Sequence, residues 1–166
     1  MKSWNWVCFV AVLLFTATAQ TQKAPPPAPA QPIAYSHKLH AGTLKLKCET
    51  CHVNADPGES MGLPQAKVCM TCHASVKTES PAIQKLAASV KSGQPIRWVR
   101  VYEIPTYVMF SHRAHLEAGA TCQECHGQVA EREQLFRETD ISMGGCMNCH
   151  RIKNASNDCS FCHEPR

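Results

Sequence analysis

Phe110–His126 reads FSHRAHLEAGATCQECH, and most of the chain is assembled from the same parts. Two histidines three apart, His112 and His115, are followed by Cys122-Gln123-Glu124-Cys125-His126. Cys-x-x-Cys-His is the attachment signature of c-type haem: two thiols add across the vinyl groups, and the adjoining histidine reaches the iron. The same order occurs upstream in Tyr35–His52, YSHKLHAGTLKLKCETCH.

The chain has eleven cysteines, and ten fall in five Cys-x-x-Cys pairs: Cys48/Cys51, Cys69/Cys72, Cys122/Cys125, Cys146/Cys149 and Cys159/Cys162. A histidine follows each pair: His52, His73, His126, His150 and His163. Zinc ribbons also use Cys-x-x-Cys, and a small exported domain could pair its cysteines as disulfides. Neither needs a histidine after every pair. The pattern implies five covalently attached haem c groups, with these five histidines as proximal ligands.

Five six-coordinate irons need ten axial ligands, and the chain has nine histidines. The four outside the motifs are His37, His40, His112 and His115, in two matching His-x-x-His pairs, so they are read as distal ligands. Three apart on a helical turn, two imidazoles share a face but differ in height. Each pair can therefore bracket two neighbouring haems. The tenth ligand is expected to be methionine. Met70 and Met147 lie inside Cys-x-x-Cys pairs and are constrained there, which leaves Met61, Met109 and Met143. Met143 is favoured because Gly144 and Gly145 beside it let the backbone approach a porphyrin; a lysine ligand or an open iron are the other options.

Met1–Ala19 has one lysine, an apolar run and a closing Ala17-Thr18-Ala19, the pattern of a secretory signal peptide cut before Gln20. Its apolar run of about sixteen residues falls short of the ~20 of a membrane-spanning helix, so an uncleaved anchor is the alternative. Export agrees with haem attachment, which takes place outside the cytoplasm. Residues 20–32, with five prolines among alanines, read as an extended linker. Residues 33–166 are then the haem domain: a two-haem module at 33–80, a connector at 81–109 and a three-haem module at 110–166. Ser80-Pro81 predicts a helix over Ala82–Lys91, stopped by Gly93 and Pro95. Ile96–Phe110 is β-branched and aromatic, but Pro105 interrupts it, so an extended connector is expected. A short charged helix is expected over Ala130–Arg137. The fold class is a multihaem cytochrome c: mostly coil, a few short α-helices, little or no β-sheet, and a core built from stacked haems.

The formal charge is +4. Without Lys2, with ten ionised propionates and five oxidised iron–porphyrin cores, it becomes about −2, and about −7 on reduction. No basic run points to nucleic acid, and no small-molecule substrate is expected. A folded unit of about 130 residues has a radius of gyration of roughly 14 Å, so five porphyrins inside it lie close enough to form a conducting chain. The function expected is electron carriage between redox partners, not catalysis. The alternatives are a small multihaem reductase with one open iron, and a zinc-stabilised exported binding module.

Beyond its haem motifs, the chain resembles the class III multihaem cytochromes c. It is most similar to the pentahaem cytochrome subunits of alternative complex III, a bacterial quinol-oxidising membrane complex. The segments that carry the likeness are QPIAYSHKLHAG, CETCH, PQAKVCMTCH, GQPIRWVRVYEIPTYVMFSHRAH, CQECHG and MGGCMNCHR, which together span most of residues 31–163. The resemblance implies distal ligation by His37, His40, His112 and His115, with Met143 as a fifth. It also implies electron transfer in the periplasm between a membrane quinol-oxidising complex and a downstream acceptor. A cleavable leader followed by a proline spacer departs from the membrane-tied form of that subunit.

Overall fold

The structure, a computed structural model, describes residues 26–53 and 61–163. The expected leader and most of the proline linker lie outside the described residues. Helices are short. A π-helical turn covers Lys38–Thr43, α1 spans Ala66–His73, α2 Pro81–Ser92, α3 His112–Glu117, α4 Cys122–His126 and α5 Met143–Ile152. Single 3-10 turns cover Cys48–Thr50, Val129–Glu131 and Cys159–Phe161. No strand occurs among the described residues, and the remainder is turn and coil. This is the multihaem cytochrome architecture expected.

Only α2 follows ordinary amphipathic logic. Pro81 opens it with φ already set for a helix, and Gly93, at φ 71°, closes it in the left-handed conformation that glycine adopts without strain. The Ser80 side chain makes no capping hydrogen bond. Ile83 and Leu86, one turn apart, face inward against Ala66 of α1 and Ile33. Full burial of such side chains stabilises by about 2 kcal/mol each. These four are the buried apolar residues among those described. Meanwhile Leu44, Tyr107, Met143, Ile152 and Phe161 are more than half exposed. Large apolar side chains left open beside the Cys-x-x-Cys-His segments are what a chain that wraps porphyrins requires.

The connector is extended, and its residues act as ties. The Gln31 amide, at the end of the expected linker, donates to the Val99 carbonyl at 2.8 Å and accepts the Val99 N–H at 2.9 Å. Trp98 packs against the small core, and its indole N–H donates to the Pro64 carbonyl at 2.8 Å. Arg97 and Arg100 point to solvent. The two haem modules meet where Lys38–Thr43 lies on Val129–Glu131. The Lys38 N–H donates to the Arg132 carbonyl at 2.9 Å, and a Cβ at Gly42 would run into the Ala130 carbonyl.

That contact explains one failed expectation. Ala130–Arg137 does not form a helix; it makes one 3-10 turn and then runs on as coil. The Arg132 carbonyl is taken by Lys38 instead of by a residue four further on. Its guanidinium pairs with Glu138 through Nε–Oε1 at 2.6 Å and Nη2–Oε2 at 3.0 Å. Conversely, α1, α4 and α5 contain haem motifs that show no helical period in the sequence.

Candidate haem sites

Each bracket begins with an aromatic residue and a serine. In the first, the Ser36 hydroxyl accepts the Leu39 N–H at 2.9 Å; in the second, the Ser111 hydroxyl accepts the Ala114 N–H at 3.2 Å. Both are side chains satisfying an otherwise orphaned N–H at a helix start. The Ser36 carbonyl takes Nδ1 of His40 at 2.9 Å, and the Ser111 carbonyl takes Nδ1 of His115 at 2.8 Å. The preceding ring wedges between the two imidazoles. Tyr35 meets His37 edge-on at 4.7 Å and stacks on His40 at 4.5 Å; Phe110 meets His112 edge-on at 4.8 Å and lies 4.6 Å from His115. The unit is therefore aromatic-Ser-His-x-x-His. Sequence reasoning registered only the histidines, although Tyr35-Ser36 and Phe110-Ser111 repeat in register.

The bracket imidazoles stand opposite motif imidazoles. His40 faces His73 with ring centroids 6.1 Å apart, His112 faces His126 at 6.5 Å, and His115 faces His150 at 6.0 Å. His37 neighbours His52: burial depresses its pKa to about 4, and the charges of His52 and then His40 add to the shift. Burial also lowers His126, followed by the charges of His112 and His52. A depressed imidazole pKa keeps the ring neutral, which is the form that ligates a metal.

The motif rings are aimed by their Nδ1 partners. His52 bonds the Gly62 carbonyl at 3.1 Å, His73 that of Val76 at 2.9 Å, and His150 that of Ser156 at 2.6 Å. His163 bonds the Tyr107 carbonyl at 3.4 Å. With Nδ1 donating to a carbonyl, Nε2 keeps its lone pair for iron, the usual outer-sphere arrangement of a ligating histidine. His126 is met instead by Tyr102, whose ring stands edge-on at 4.8 Å and whose hydroxyl donates to the His126 carbonyl at 3.3 Å. That hydroxyl also accepts the Glu138 N–H at 2.9 Å. Gly127, at φ +72°, leaves the space that the Glu138 side chain fills. The Tyr102–Glu138–Arg132 tie also went unread in the sequence, because its members carry no shared motif.

None of the ten motif cysteines is buried by protein. Cys48, Cys72, Cys146, Cys149 and Cys159 are exposed, whereas Cys51, Cys69, Cys122, Cys125 and Cys162 are half-buried. The protein's own core lies elsewhere, at Ile33, Ala66, Ile83 and Leu86. Cys72 and Cys149 are exposed because each sits in the last turn of its helix, where little chain covers it. The Cys72 carbonyl accepts the Ser75 and Val76 N–H groups at 3.2 Å, and the Cys149 carbonyl accepts the Lys153 N–H at 2.9 Å. Their thiols still neighbour other motifs. Burial raises the pKa of Cys51, and the charge of Cys72 adds to it; burial and then the charge of Cys149 do the same for Cys125.

These residues fit haem. A metal–imidazole nitrogen bond of about 2 Å, plus about 1 Å from nitrogen to ring centre, sets two axial imidazoles roughly 6 Å apart across one iron. The three measured separations match. Thiols open to solvent on one side are accessible to a porphyrin edge. Among the described residues no three His, Cys, Asp or Glu side chains gather around a point, as a zinc ribbon would require.

Met143 opens α5 one turn before Cys146 and is 68% exposed. Gly145 beside it gives room to the Asp140 carbonyl. Met109 donates its main-chain N–H to the Cys162 carbonyl at 2.9 Å. The ring found across from His163 is that of Tyr107, nearly parallel at 6.1 Å.

The family model for the class III cytochrome C family matches residues 14–96, and that for cytochrome c7 and related cytochrome c matches residues 108–164. The chain belongs to the multihaem cytochrome c family, whose members bind haem c covalently, and it is an electron carrier. It is similar to the menaquinone reductase multiheme cytochrome c subunit of Nitratidesulfovibrio vulgaris strain Hildenborough. The two are 30% identical over 161 residues, covering 81% of this chain and 77% of that subunit. Among the described residues no helix is long and apolar enough to cross a membrane.

Proposed function

We propose that the protein is an exported pentahaem cytochrome c that passes electrons between a membrane quinol-oxidising complex and a downstream acceptor in the periplasm. The observation that carries this reading is the set of imidazole pairs at 6.0–6.5 Å, each joining a bracket to a haem motif. The membrane partner is inferred from the relative's quinone-linked complex and from the sequence resemblance. The pairs read as His37–His52, His40–His73, His112–His126 and His115–His150. His163 then takes a non-histidine ligand, for which Met143 is the proposal. Cys146, one turn from Met143, is close enough to Cys162 for the two thiols to feel each other's charge.

When bound, haem supplies reversible one-electron chemistry at iron, at a potential set by its axial ligands and surroundings. The thiols fix each porphyrin edge covalently. Carbonyl acceptors at Nδ1 orient the motif imidazoles, and Tyr35 and Phe110 stiffen the brackets. A bracket with one imidazole on each of two haems holds those haems at a fixed separation, so transfer between them needs little rearrangement of the chain.

The test is a pyridine haemochrome count on the exported protein with low-temperature EPR of the oxidised form. Five haems per chain, four with low-spin bis-imidazole signals, are expected. Fewer than five haems, or a dominant high-spin signal, would overturn the assignment.

A further inference from the structure

We infer that the five sites form one unbranched row in the order 69–73, 48–52, 122–126, 146–150, 159–163, making the first and last of these its electron ports. This rests on the pentahaem reading above and deepens it, because chain order alone puts the 48–52 site at an end.

Four links join the five sites. The first is the bracket at Tyr35–His40. One turn of chain places His40 6.1 Å from His73 and His37 beside His52, so the 69–73 and 48–52 sites share a support. Tyr35 lies between the two bracket imidazoles, 4.7 Å from His37 and 4.5 Å from His40. The second link crosses between modules. Cys48 lies beside Cys122. The Lys38–Arg132 main-chain bond and the close approach of Gly42 to Ala130 hold that junction shut. The third is the other bracket, with His112 at 6.5 Å from His126 and His115 at 6.0 Å from His150. Lys153 Nζ, just past α5, bonds Glu124 of α4 at 2.6 Å across the same pair.

The fourth link is made by chain reversal. Ser156 folds back to offer its carbonyl to His150, so the next motif returns alongside α5, with Cys162 near Cys146. The Met109 N–H on the Cys162 carbonyl and the Tyr107 carbonyl at His163 fasten this last motif beside the start of the second bracket. Each interior site has two links, and 69–73 and 159–163 have one. The two ends also differ chemically. The 69–73 motif packs its Cys69 and Met70 against the small apolar core, whereas His163 of the 159–163 motif has the Tyr107 ring as its neighbour, with centroids 6.1 Å apart.

The test is to locate the irons in crystals of the holoprotein by anomalous scattering at the iron edge. Five irons in a single file, with the 48–52 iron flanked by those of 69–73 and 122–126, are expected. An order that ends at 48–52, or a 159–163 iron nearest to any site other than 146–150, overturns the row while leaving the pentahaem reading standing. Fewer than five irons in a fully loaded protein would instead sink the pentahaem reading, and the five-site row with it.

Discussion

The rings of His112 and His126 lie with planes 6° apart and centroids 6.5 Å apart, though each belongs to a different short helix. A centroid separation of about 6 Å is what two imidazoles would show if both bound one metal through nitrogen. Tyr102 supports one ring and Phe110 the other, each edge-on.

Replacing His112 by methionine puts a thioether opposite His126. Met/His ligation raises the reduction potential relative to bis-histidine. One haem potential is expected to rise by roughly 0.1 V or more, within the ~0.8 V range that axial ligands span. Spectroelectrochemical titration checks this. A uniform drift of all the potentials would argue against a local pairing.

The ligand opposite His163 is separable by two substitutions. Met143→Leu is expected to abolish the sulfur-to-iron charge-transfer absorption of the oxidised protein and to lower one potential. Tyr107→Phe is expected to leave both unchanged, although its ring lies 6.1 Å from that of His163. Spectra with the opposite pattern would assign the position to Tyr107.

With so small a buried core, each of its members matters. Leu86 is 4% exposed and packs α2 on α1. Leu86→Ala removes its transfer free energy and leaves a cavity, a loss of about 2–5 kcal/mol. The expected result is a lower melting temperature of the holoprotein with all haems still attached. An unchanged melting curve would mean that the porphyrins alone hold this end.

Acid should act through Glu138. The hydrogen bonds from Arg132, the largest cause, hold its carboxyl below the ordinary carboxylate range. A group with a depressed folded pKa stabilises fully above its unfolded value, about 4.3 for Glu. That stabilisation is lost as pH falls through the lower folded value. The melting temperature of the protein should exceed that of Glu138→Gln by a constant margin from pH 5 to 7. The gap should narrow as pH falls below about 4 and close once pH lies below the depressed folded value, where both chains carry a neutral side chain. Propionate titration is common to both and cancels. A gap that does not narrow at all as the pH is lowered from 5 would assign the effect to shape, not charge.

Local chemistry was readable from the sequence. A Cys-x-x-Cys-His site is contained within five residues, so its existence needs no tertiary structure. The α2 helix was legible for a similar reason, since Pro81 and Gly93 mark its ends by their own backbone preferences. The helix expected at Ala130–Arg137 failed because Lys38, distant in sequence, takes the Arg132 carbonyl it needed. The helices that carry haem motifs were missed because their faces are completed by cofactor, not by an apolar stripe. The exposure of Cys72 and Cys149 has the same origin, for the polypeptide supplies no apolar partner to cover them.

The sequence by itself determined which atoms are equipped to grip haem: ten thiols, five adjoining imidazoles and four more in matched brackets. Tertiary structure alone decided which imidazole stands opposite which, and which motif lies beside which. His40 meets His73 only because α1 and the first bracket converge. Cys48 meets Cys122 only because the Lys38–Thr43 turn packs on Val129–Glu131. Attachment is a short-range covalent property, whereas pairing depends on closing long loops, and nothing written within a single motif encodes where such a loop closes.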